Sequence, residues 1–132
     1  MPASPLVFDS WALLALVGGE APGRRVKNLQ ASKTGRPCWI TTVNMGEVWY
    51  QIAKRRTEAD ADAKVAEFLE AGLALVEADW TLTRRAAQLK YKHKLIYADS
   101  FAAALALQRD GELVIGDPDC KKLGRSLTVR WL

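Results

Sequence analysis

The sequence predicts an α/β fold with a parallel sheet, on three observations. Short apolar runs of strand length, Leu6-Val7-Phe8, Cys38-Trp39-Ile40-Thr41, Leu73-Ala74-Leu75-Val76 and Leu113-Val114-Ile115, alternate with longer segments of helical periodicity. These runs are apolar rather than strictly alternating, as expected of strands covered on both faces. The intervals between them are long enough for crossover helices, which parallel strands require. With Leu127 to Trp131 and Leu132 as a last strand, the expectation is a doubly wound sheet of about five strands in one domain, residues 1–132.

Composition bounds the reading. At 132 residues, 49% hydrophobic and 26% charged, the chain has globular character, and a domain of this size buries roughly two thirds of its unfolded surface. The longest apolar runs, Trp11 to Val17 and Phe101 to Leu107, fall far short of the roughly 20 residues that cross a bilayer, so no membrane association is expected. The opening residues lack the basic-then-apolar pattern of a secretory signal, which points to the cytoplasm. Cys38 and Cys120 are far apart, with no partner ligands at metal spacing; they argue against zinc and read as small core residues. The net charge of +4 is compatible with a polyanionic partner without establishing one.

Taken in order, Leu6 to Phe8 form a buried strand that delivers Asp9, and a helix follows from Trp11 to Val17, stopped by Gly18-Gly19. Pro22 can open a second helix reaching about Ser32, closed by Gly35-Arg36-Pro37. After the strand Cys38–Thr41, Thr42 or Asn44 can cap a helix on which Val43, Glu47 and Tyr50 share one stripe and Val48 and Ile52 another. Lys54-Arg55-Arg56 closes it with cations at the negative pole. The next helix, about Glu58 to Ala71, opens with acids and is expected to bury Val65, Phe68 and Leu69 before Gly72 ends it. Leu73 to Val76 is a strand, and Asp79 caps a helix running through Leu82, Ala86 and Leu89 to about Lys92. Phe101 to Leu107 is apolar nearly all round and should be the most buried helix, with Asp99 in its first turn. Leu113-Val114-Ile115-Gly116-Asp117 repeats the opening pattern, a strand that delivers an acid.

Four acids therefore fall at one edge of the sheet: Asp9 and Asp117 after strands, Glu47 and Asp99 near helix starts. Singly, each has a structural explanation, as a helix cap, a first-turn acid, an ion-pair partner or a turn opening. Together, four carboxylates would repel one another without a cation among them. Oxygen-only ligands select a hard ion, Mg²⁺ or Mn²⁺, and such an ion suits phosphodiester hydrolysis by an activated water. The acids Glu58, Asp60, Asp62, Glu67 and Glu70 read instead as the solvated face of one helix.

The blocks Leu6 to Leu16, Thr42 to Val48, Ala98 to Ala104 and Val114 to Asp119 resemble, in order, the four signature blocks of PIN-domain ribonucleases, specifically VapC-type toxins of toxin–antitoxin pairs. The resemblance implies a PIN-like three-layer fold with a five-stranded parallel sheet of order 3-2-1-4-5. It further implies a Mg²⁺- or Mn²⁺-dependent endoribonuclease acting on RNA, a cognate VapB-like antitoxin and a homodimer. By the same resemblance Asp9, Glu47, Asp99 and Asp117 are the catalytic and metal-holding residues, with Ser10 and Asp119 as auxiliary candidates. Ile115 departs from the pattern, since members often carry Thr or Ser two residues before the fourth acid. Asp119 is the alternative to Asp117 on that account.

Among other residues, Arg24, Arg25, Lys27, Arg55, Arg56, Arg84, Arg85, Lys90, Lys92 and Lys94 can steer RNA phosphates or simply solvate helix faces. His93 is the only histidine, which excludes paired-histidine chemistry. The five tryptophans are expected mainly in the core, with Trp11 a candidate wall of an antitoxin groove. Two other readings compete. One is a PIN-like RNA-binding or RNA-processing domain without cleavage activity of its own. The other is a response-regulator receiver, which requires paired acids after the first strand, where Asp9 is followed by Ser10.

Overall fold

The computed structural model describes residues 4–18, 36–115 and 128–131. Its elements in chain order are β1 (Leu6–Phe8), α1 (Ser10–Gly18), β2 (Cys38–Thr41), α2 (Thr42–Arg55), α3 (Glu58–Glu70), β3 (Leu73–Val76), α4 (Trp80–His93), α5 (Tyr97–Gln108), β4 (Glu112–Ile115) and β5 (Thr128–Trp131). The helix expected from Pro22 to Ser32 lies outside the described residues.

All four strand pairings are parallel, and the order is β3-β2-β1-β4-β5. The chain winds outward from β1 through β2 to β3, then crosses back to lay β4 on the other flank of β1. The switch point therefore lies between β1 and β4, where Leu6 to Phe8 register with Glu112 to Val114.

Strand pleat sorts the core into two layers. Leu6 and Phe8 face one side with Val114, against Leu13 of α1, Met45, Val48 and Ile52 of α2, and Phe68 of α3. Val7, Leu113 and Ile115 face the other side, against Leu82, Ala86 and Leu89 of α4 and Phe101 to Ala106 of α5. Every residue from Ser100 to Ala106 is buried, so the all-apolar helix is the central one, as its composition predicts. Ile115 belongs to this second layer and is fully buried. Its side chain is part of the core there, where an apolar residue is well placed.

The structure corrects several expectations. Leu69 is 40% exposed, because α3 buries Ala61 and Phe68 and turns its remaining faces to solvent. Leu75 is also exposed, since β3 is an edge strand. On α2 the buried face is Asn44, Met45, Val48 and Ile52, while Tyr50 is exposed. Of the tryptophans expected mainly in the core, Trp80 is 72% exposed and Trp11 is exposed, while Trp39 and Trp49 are half-buried and pack against the two core layers. Their polar indole explains part of this, as Trp49 Nε1 donates to Asp62 Oδ1 at 2.9 Å. No described helix is long and apolar enough to cross a membrane.

Candidate active site

The site begins at the carboxyl end of β1. Asp9 is 1% exposed, and its amide donates across the switch point to the Val114 carbonyl at 3.5 Å. The Ala12 amide donates to Asp9 Oδ1 at 2.8 Å, which makes Asp9 the N-cap of α1. Its Oδ2 is sealed from solvent.

Ser10 is the first residue of α1 and does not cap it. Its hydroxyl donates to the Asn44 carbonyl at 3.1 Å and accepts from Asn44 Nδ2 at 3.2 Å. The cap belongs to Asp9, one residue earlier, the helix-cap explanation open to a lone acid there. The start of α2 shows a similar shift. Thr41, rather than Thr42 or Asn44, is the N-cap, accepting from the Asn44 amide at 3.0 Å. Thr42 instead accepts from the Ala78 amide at 3.1 Å, tying the segment after β3 to the same helix end.

Asp99 lies in the first turn of α5, where its charge is favoured by the helix dipole, and its Oδ2 is also sealed from solvent. Glu47 is half-buried and stands in the second turn of α2, with no acid in the first. Asp117 and Asp119 lie outside the described residues. Among the described residues no group of three or more acids, histidines or cysteines is close enough to hold a metal ion.

Asn44 joins these segments, and sequence reasoning assigned it no such role. It is fully buried, and its Nδ2 donates both to Ser10 Oγ and, at 2.9 Å, to the carbonyl of Ala98. One amide thereby touches the residue after Asp9 and the residue before Asp99, while Glu47 follows one turn along the same helix face. The available signal was a polar residue within an otherwise apolar stripe.

Other charged groups fall away from this centre. Asp79 caps α4, accepting from the Leu82 amide at 2.9 Å. Glu58, Asp60, Asp62, Glu67 and Glu70 are exposed on α3, with Glu67 paired to Lys64 at 3.1 Å. Arg84, Arg85, Lys90, Lys92 and Lys94 are exposed on α4 and just beyond it, and Arg55 and Arg56 at the end of α2; Arg24, Arg25 and Lys27 lie outside the described residues. Cys38 is buried, and burial pushes its thiol pKa up, with Arg36 acting weakly the other way, so it stays protonated and inert.

A parallel sheet whose switch point carries a buried acid defines an α/β protein with its site at the carboxyl edge. The family model of the PIN domain matches residues 6–126, and the chain belongs to the PIN domain family. VapC20 of Mycobacterium tuberculosis, a toxin that cleaves the sarcin–ricin loop, has a TM-score of 0.72 and 21% identity, over 90% of this chain and 95% of that one. VapBC2 from Rickettsia felis, bound to a promoter DNA fragment, has a TM-score of 0.75 and 15% identity, over 96% and 98%. DNA-bound VapBC from Salmonella typhimurium has a TM-score of 0.66 and 19% identity, over 97% and 98%. At such identities the likeness is one of fold. No curated protein matches in sequence.

Proposed function

We propose that this chain is a divalent-metal-dependent endoribonuclease acting as the toxin of a toxin–antitoxin pair. The observation that supports it most is the meeting, at the switch point of a PIN-family sheet, of two segments that each carry an acid with one oxygen withdrawn from water. An all-oxygen donor set fits Mg²⁺ or Mn²⁺. Asp9, Asp99, Glu47 and Asp117 would hold the ion. When bound, it supplies charge neutralisation at the phosphate and a lower pKa for the attacking water. The chain's own contribution is orientation. Capping α1 through Oδ1 fixes the Asp9 carboxylate plane, so Oδ2 is presented without a search over rotamers. The exposed cations of α4 would raise the local concentration of RNA.

An antitoxin partner is supported by the VapBC complexes of the same fold and by a cleft of about 90 Å³ between α1 and α2, lined by Leu14, Val17, Ile52, Gln51, Arg55 and Arg56. An apolar floor beside two cations suits an amphipathic segment bearing an acid. Assembly as a homodimer is part of the same reading.

Cleavage of RNA by the purified chain with Mg²⁺ or Mn²⁺, with and without a chelator, is the direct test. Asp9→Asn should reduce metal-dependent cleavage by at least about 100-fold, the scale of losing a group that manages transition-state charge. Cleavage unchanged by this substitution overturns the assignment. A second reading is a PIN domain that binds RNA without cutting it. Chelator-sensitive cleavage excludes it.

A further inference from the structure

We propose that Asn44 is the positioning residue of this site, a buried amide that sets the spacing between the segments carrying Asp9, Glu47 and Asp99. The inference rests on the metal-dependent reading above and extends it to a residue that is not itself an acid. Asn44 is fully buried, and both hydrogens of its Nδ2 are spent, on Ser10 Oγ at 3.2 Å and the Ala98 carbonyl at 2.9 Å. Its Oδ1 accepts from the Thr41 hydroxyl at 2.5 Å, its backbone amide donates to Thr41 Oγ1, and its carbonyl accepts from Ser10.

This network has one solution. Rotating the amide by half a turn would set Oδ1 against the Ala98 carbonyl, acceptor facing acceptor, so the orientation is fixed by its partners. A buried amide is costly unless fully paired, and here every side-chain donor and acceptor is used. The three connections are long-range: Ser10 opens α1, Asn44 lies in the first turn of α2, and Ala98 lies in the first turn of α5. The adjoining residues are Asp9 and Asp99, and Glu47 lies one turn along from Asn44 on the same face. Helix packing alone holds these helices to within a rotamer change or so. A shared, directional amide holds the carboxylates they carry to a single separation, which oxygen coordination of a small cation demands.

The test uses the full chain with Mn²⁺ as probe: affinity from a titration of free Mn²⁺, and melting temperature without metal, for Asn44→Ala, Ser10→Ala, Asp9→Asn and the remote core variant Leu89→Ala. Asn44→Ala should weaken Mn²⁺ binding about tenfold, the scale of losing a group that orients a ligand, and Ser10→Ala about threefold. Leu89→Ala should melt lower while binding Mn²⁺ like the parent. Parent-like affinity in Asn44→Ala, or equal weakening in Leu89→Ala, overturns the inference. If Asn44→Ala does not fold, Ser10→Ala decides: weakened binding supports the role, and parent-like binding overturns it. Parent-like binding by Asp9→Asn, or none by the parent, removes the metal reading and this inference together. Loss of binding in Asp9→Asn with none in Asn44→Ala removes the inference alone.

Discussion

Asp9 caps α1 through Oδ1, while the proposed metal role falls to Oδ2, and the two respond differently to substitution. Asparagine keeps an Oδ1 that accepts from the Ala12 amide, and Asn and Asp are equivalent N-caps. Asp9→Asn should therefore unfold in urea at nearly the parent's midpoint, whereas Asp9→Ala should lose about 1 kcal/mol with the cap. An equal loss in both variants would show that the cap is not what Oδ1 contributes. The acid itself was legible in the sequence because a carboxylate ending a buried apolar run is conspicuous. Asn44 was not, since its role depends on Ser10 and Ala98, which approach it only in three dimensions. Trp11 and Trp80 were misread for a related reason: hydrophobicity speaks for burial, while indole size and its N–H favour partly exposed positions, as with Trp49, which packs on the core and donates to Asp62.

Elements were more legible than their ends. The strand runs and the order of helices follow from apolar length and period, and α5 is as buried as its composition implies. Caps shifted by a residue because adjacent hydroxyls and acids compete: Thr41 against Thr42, and Asp9 against Ser10, are chemically interchangeable until the backbone direction is set. Stripe assignments failed where an element is covered on one side only, as at Leu69 and Leu75. The stop signal at Gly72 is a firmer case. Its φ of +103° lies where side chains are strained, while a Cβ built there would meet nothing within 4 Å. The cost of Gly72→Ala is thus conformational rather than steric, at least about 1 kcal/mol. Thermal or urea unfolding checks it. An unchanged midpoint would mean that the turn between α3 and β3 relaxes to a negative φ without penalty.

At the scale of the whole molecule, the two edges of the sheet serve different ends. The carboxyl edge carries Asp9, Asp99 and the buried Asn44 amide that links their segments, where the proposed chemistry lies. The amino edge is closed by interactions that only stabilise. Arg36 reaches the Ser4 carbonyl at 2.9 Å, Ser4 Oγ at 3.2 Å and Glu112 Oε2 at 2.7 Å, so the residue before Pro37 bridges the entries to β1 and β4. The Glu112 amide donates to the Pro5 carbonyl at 2.8 Å, and the Arg109 guanidinium lies 4.8 Å over the Trp39 ring. With only 17% and 15% of the Arg36 and Glu112 side chains exposed, water screens their pair poorly. Arg36→Met should cost about 2 kcal/mol, the range for losing charged hydrogen bonds from a shielded pair. Glu112→Gln should cost less, because an amide oxygen still accepts from the guanidinium. Mn²⁺ affinity should remain at the parent's value in both variants, since the strands separate this clamp from Asp9. Urea unfolding and Mn²⁺ titration on the same samples check the two halves of the prediction. A stability loss accompanied by weakened Mn²⁺ binding would show that the amino-edge clamp sets the position of the acids through the sheet, and that the two edges are not independent.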